Sequence, residues 1–120
     1  MHELKVTNGS RQLISSLLNV GEYFKTPSEI LRAALLIDVI KHNSIPHEKA
    51  INSITKDTIL TDELAKQIEE YNTFMDTETV VSVTEAQREL LKKVCTDFSN
   101  KIIINKHSVV LLKELGFTAD

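Results

Sequence analysis

Apolar and polar positions alternate almost from the first residue. Leu4 and Val6 are set between Glu3, Lys5 and Thr7, the period of two that marks a half-buried strand. The period changes at Asn8-Gly9-Ser10, where Asn8 and Ser10 are candidate helix caps. Leu13, Ile14, Leu17 and Leu18 then share one stripe of a short helix, with Gly21 placed to end it in a left-handed conformation. Thr26-Pro27-Ser28-Glu29 joins a capping hydroxyl, a proline at the first helical position and an acid three residues after the cap, a strong helix start. From Glu29 to Asn43 nothing breaks the helix. Its apolar residues, from Ile30 and Leu31 through Ala33, Ala34, Leu35 and Leu36 to Ile40, cover nearly the whole circumference. Such a helix must be buried on several sides, and a unit this small needs a second subunit to do it.

Ser44-Ile45-Pro46 interrupts the pattern and divides the chain into residues 1–45 and 46–120. Beyond it, Ala50, Ile51 and Ile54 predict a short helix over 46–55. Thr61 or Asp62 caps a helix to about Met75, with Leu64, Ile68, Tyr71 and Met75 as its stripe. Thr79–Thr84 has the valine content of a strand. Thr84-Glu85-Ala86-Gln87 is a second capping box, opening a helix through Leu90, Leu91, Val94, Cys95 and Phe98. Ile102, Ile103 and Ile104 suggest a strand that pairs with the valine segment, and Ser108–Leu115 a last helix stopped by Gly116. The expected fold class is mainly α. One short strand and two helices are followed by a small helical C-terminal domain with at most a short β pair.

Composition narrows this picture without redirecting it. Hydrophobic residues make up 42% of the 120-residue chain and charged residues 26%, a globular balance. Aromatics are 5% with no Trp, so the core is built from Leu, Ile, Val and Ala. A single cysteine forms no internal disulfide, and the start shows no signal-peptide pattern, so a cytoplasmic setting is expected. No apolar run approaches the length of a membrane span, and no membrane partner is expected. The net charge of −3 divides unevenly. Residues 1–45 carry five Lys or Arg against four Asp or Glu, and residues 46–120 nine against thirteen. A polyanionic partner therefore belongs on the N-terminal part.

The order strand, helix, turn, capped apolar helix, with Ser28-Glu29-Ile30-Leu31-Arg32-Ala33-Ala34-Leu35 opening the second helix, resembles the ribbon-helix-helix family of DNA-binding proteins, in its CopG/ParD-like branch of the Arc/MetJ superfamily. The resemblance implies an intertwined dimer in which one strand from each subunit forms an antiparallel ribbon that enters the major groove of double-stranded DNA. Glu3, Lys5 and Thr7 would then read bases, and Arg11, Lys25, Thr26 and Ser28 would meet phosphate. Leu4, Val6, Ile30, Leu31, Ala34 and Leu35 would form the shared dimer core. The implied function is a transcriptional autorepressor acting as a dimer or tetramer on a palindromic operator. An antitoxin and a plasmid DNA-processing accessory protein of the same fold are its alternatives. In either case residues 46–120 would serve oligomerisation or a protein partner. From another class comes a helical protein-interaction module, such as a phage or plasmid factor, that never touches DNA. The location of the partner of residues 2–7 separates the two classes.

Sites of chemistry are not evident. His42, His47 and Glu48 flank the Pro46 break without a zinc-ligand spacing. Cys95 shares the stripe of Leu91 and Phe98, as a small core residue does. No nucleophile has a visible activating partner and no phosphate-binding loop is present, so neither catalytic residues nor a cofactor or metal are expected.

Overall fold

Thr7 ends the first strand and starts the first helix. In the computed structural model, which describes residues 1–19, 23–42 and 44–119, β1 (His2–Thr7) runs directly into α1 (Asn8–Leu18). Thr7 Oγ1 accepts the Ser10 backbone N–H at 3.1 Å, so the cap is Thr7 and neither Asn8 nor Ser10. The expected stop at Gly21 lies outside the described residues. α2 (Pro27–Ile40) starts at the Thr26 cap, whose Oγ1 accepts the Glu29 N–H at 3.2 Å. It ends before Asn43, which also lies outside the described residues.

After α2 the chain makes the short α3 (Glu48–Asn52) and the long α4 (Asp62–Asp76), capped by Thr61. β2 (Glu78–Val83) follows, then α5 (Glu85–Asp97), opened by the Thr84–Gln87 capping box. A single 3₁₀ turn at Ser99–Lys101 leads to α6 (Lys106–Glu114), which Gly116 stops at φ 92°. The chain is thus mainly helical, with one short antiparallel sheet.

The pairing of β1 departs from the ribbon expected across a dimer. β1 pairs with β2 of the same chain, in a register that sets His2 opposite Val83 and Thr7 opposite Glu78. The physical reason lies in both partners. Leu4 and Val6 turn inward with Val81 and Val83 to close one apolar layer, so all four are buried within the single chain. Leu4 and Val6 are accordingly core residues of the subunit itself. The other edge of β1 lies against α6, where the Lys5 N–H donates to the Glu114 carboxylate at 2.9 Å. Neither edge is left for a second chain at this strand. The Ile102–Ile104 run, expected as the partner of β2, is not a strand, and Ile103 and Ile104 face solvent.

One core cluster runs from Leu4 to Leu115, drawing on β1, α1, α2, β2, α5 and α6 from both sides of Pro46. α3 and α4 contribute nothing to it. α3 rests on α4 and α4 on α1, so the pair forms an arm on the body.

Candidate interaction surface

The second helix has more apolar surface than its own chain covers. Its inner positions Ala33, Leu36 and Ile40 are buried. One turn on, at the spacings i, i+4 and i+8 of a single stripe, Leu31, Leu35 and Val39 are 59%, 53% and 44% exposed, and Ile30 beside them 52%. Ala34 completes this crest and is exposed too. Four expected dimer-core residues, Ile30, Leu31, Ala34 and Leu35, are therefore together on one open face.

Shallow grooves flank the crest. One of about 280 Å³, bordered by Leu18, Phe24, Ala33 and Ile37, lies on the α1 side. Another of about 200 Å³ separates Leu35 and Arg32 from Ala86 and Leu90 at the start of α5. A ridge between two grooves is the shape that a second helix interlocks with. Asp38 sits on the crest and pairs with Lys41 at 3.3 Å, one turn away.

The expected nucleic-acid contacts are dispersed. Glu3 and Lys5 face outward from the sheet, with Val80 and Ser82 on the same exposed face. Thr7 does not. It is 1% exposed, and its hydroxyl lies within the protein, 3.0 Å from Ser10 Oγ and 2.6 Å from His107 Nδ1. Lys25, Thr26 and Ser28 are exposed together at the amino end of α2. Arg11 is at the other end, about 20 Å away along a 14-residue helix. There its guanidinium donates to the Ile40 carbonyl at 2.7 Å, the Lys41 carbonyl at 3.3 Å and Thr79 Oγ1 at 3.4 Å. Arg11 thus satisfies carbonyls that the end of α2 leaves open.

The Thr7 cluster was not foreseen from sequence. Ser10 Oγ donates to the His107 carbonyl at 2.8 Å, and His107 Nε2 stands 3.5 Å from Asp76. Hydroxyl, imidazole and carboxylate follow one another as in nucleophilic catalysis. The hydroxyl, however, is sealed from substrate and already caps α1, so the cluster joins β1, α1, α4 and α6. Gly9 permits this closeness, because a Cβ there would overlap the His107 ring. A glycine directly after the strand was the only sequence trace of it.

Two other titratable groups are shaped by burial. His42 stacks edge-on against Phe74 with centroids 5.1 Å apart. Burial holds its pKa below the ordinary value, reinforced by the Arg11 charge and opposed by a hydrogen bond with the Asn8 backbone. Burial alone pushes the Cys95 thiol up to about 11, which makes it a poor nucleophile. Among the described residues no group of three His, Cys, Asp or Glu is placed to hold a metal ion. No helix among them is long and apolar enough to cross a membrane. Compared with protein families, with curated proteins and with solved structures, the chain matches none.

Proposed function

We propose that this chain is a self-associating binding module whose dimer interface is the crest of α2. The observation that carries the reading is the stripe Leu31, Leu35 and Val39, with Ile30 beside it, open on a helix whose opposite face is fully buried. Contiguous exposed apolar surface of this kind marks protein contacts. The charges on the crest favour an antiparallel pair. A two-fold axis at Leu35 sets Leu31 level with Val39 of the partner subunit and Arg32 level with the partner's Asp38. A parallel pair would instead set Asp38 against its own copy, which is unfavourable in a desolvated contact.

Sedimentation tests this directly. The wild-type chain is expected to be a dimer at micromolar concentration and Leu35→Asp a monomer with an unchanged circular dichroism spectrum, because position 35 is open in the subunit. A wild-type monomer throughout that range sinks the proposal.

A second reading retains double-stranded DNA as the partner of that dimer, with operator binding and autorepression as the resemblance implies. The exposed Lys25, Thr26 and Ser28 at the amino end of α2 favour it, since backbone N–H groups at a helix start attract phosphate. Titrating labelled duplex at several salt concentrations separates the readings. On the DNA reading Lys25→Ala lowers the salt slope by about one unit. Binding too weak to measure at low salt leaves protein interaction alone.

A further inference from the structure

A second open apolar surface lies between α5 and α6. It is a groove of about 440 Å³, within the roughly 300–1,000 Å³ that ligand-accepting pockets occupy. Ile102, Leu112 and Phe117 line it half-buried, and Val109 and Ile104 line it at 40% and 91% exposure. Its shape is held by the chain turning back at Gly116, where the Phe117 N–H donates to the Leu112 carbonyl at 3.0 Å. The surroundings are basic. Residues 92–113 carry five lysines against the single acid Asp97. Lys92 lies one turn before Cys95 and Thr96 on the α5 wall, and Lys113 lies beside Leu112 and one turn after Val109 on the α6 wall.

The arm has the opposite character. Every residue from 52 to 63 is exposed, and Ile59 and Leu60 are bare at 83% and 65%. Residues 57–76 hold six acids against Lys66 alone, and Asp57, Asp62 and Glu63 bracket the apolar pair. The pair is also held in place. The Thr55 N–H donates to Thr58 Oγ1 at 2.8 Å and the Thr58 N–H to the Thr55 carbonyl at 3.1 Å. Thr61 then starts α4 by accepting the Leu64 N–H at 3.1 Å. An apolar pair displayed on an ordered turn loses little freedom on docking.

We infer that the α5–α6 groove receives the Ile59–Leu60 arm of a second copy of this chain, with Asp57, Asp62 and Glu63 facing Lys92 and Lys113. The groove accepts the apolar pair, and the charges fix which surface goes in. The contact is heterologous, since arm and groove are different patches. Two copies close it by exchanging arms, and otherwise it propagates head to tail. It uses no residue of the α2 crest, so the two contacts together build assemblies above the dimer.

The test uses the full chain carrying Leu35→Asp, which removes the crest contact and leaves arm and groove intact. This protein is expected to self-associate in sedimentation velocity. The assembly should weaken from about 0.1 M to about 1 M salt, over which the screening length falls from about 10 Å to about 3 Å. Ile59→Asp with Leu60→Asp, or separately Ile104→Asp with Val109→Asp, should each weaken it by a factor on the order of ten or more. All four positions are exposed, and circular dichroism checks that the fold is kept. Mixing the arm variant with the groove variant should restore a complex, because one supplies the groove and the other the arm. A Leu35→Asp chain that stays monomeric, or a mixture that forms no complex, overturns the inference. If the wild-type dimer survives in that case, the crest proposal stands without it.

Discussion

The first two helices invert the usual relation between apolar content and burial. α1 begins with Asn8, Gly9 and Ser10, yet all three are buried together with Ile14, Leu17 and Leu18. α2 is the more apolar helix, and only Ala33, Leu36 and Ile40 are buried. α1 lies between the sheet, α2, α4, α5 and α6, so even its polar start is enclosed, and its polar groups are satisfied by Thr7, His107 and Phe74. α2 lies at the rim, so half of its apolar circumference has no cover from its own chain. Hydrophobicity in excess of what a fold can bury reports on a partner, whereas polar residues inside report on close contact between elements.

Adjacent leucines of α2 put the largest number on this contrast. Leu36→Ala should cost about 2–5 kcal/mol in urea unfolding, as expected for an emptied core site. Leu35→Ala should stay within about 0.5 kcal/mol in dilute protein. It should nevertheless abolish the rise of the melting temperature with concentration that a dimer requires. Equal costs at the two positions would erase the distinction between faces.

On the α1 side, Gly9→Ala forces a methyl into the His107 ring and should destabilise by about 1–3 kcal/mol despite the better helix propensity of alanine. Adding His107→Ala should recover part of the loss. Strict additivity of the two changes in a double-mutant cycle would show that the overlap does not matter. A smaller effect is expected at a helix start that both regions could do without. Thr84→Ala removes the hydroxyl that accepts the Gln87 N–H at 3.1 Å and should cost about 1 kcal/mol by thermal melting. The α2 dimer should be indifferent to it.

The least of the effects is a pH dependence. His42 has its pKa lowered in the fold, so the unfolded chain takes up a proton first as pH falls below about 6.5. The stability that neutral His42 contributes is full above that value and declines as pH drops toward the folded pKa. His42→Phe should flatten this part of the stability profile between about pH 5 and 7. An unchanged slope would assign the acid sensitivity to other groups.

Elements announced by adjacent residues were legible in the sequence: the Thr26 and Thr61 caps, the Thr84–Gln87 box and the Gly116 stop are local devices, and each is where the pattern put it. The valine strand was legible as a strand but not its partner, because His2 and Val83 meet across 81 positions and nothing local encodes that choice. Ile102–Ile104 misled for the complementary reason. Three β-branched residues favour a strand, but α6 already occupies the second side of β1. Of the surface, the crest of α2 was visible as excess apolar content. The Thr7–His107 contact was invisible, because it joins residues 100 positions apart.

The register of β1 has a consequence for biosynthesis. The first strand to leave the ribosome finds its hydrogen-bonding partner only after 71 more residues have been made, from Thr7 to Glu78. At about 5–20 residues per second that is a wait of roughly 4–14 s. α6, which covers the other edge of β1, arrives later still. During that interval Leu4 and Val6 are exposed on a nascent chain with two unpaired strand edges, the condition in which chains pair with the wrong neighbour. Correct assembly of this protein therefore closes at its beginning last, and a chaperone that shields the first dozen residues should raise the yield more than one acting on the finished fold.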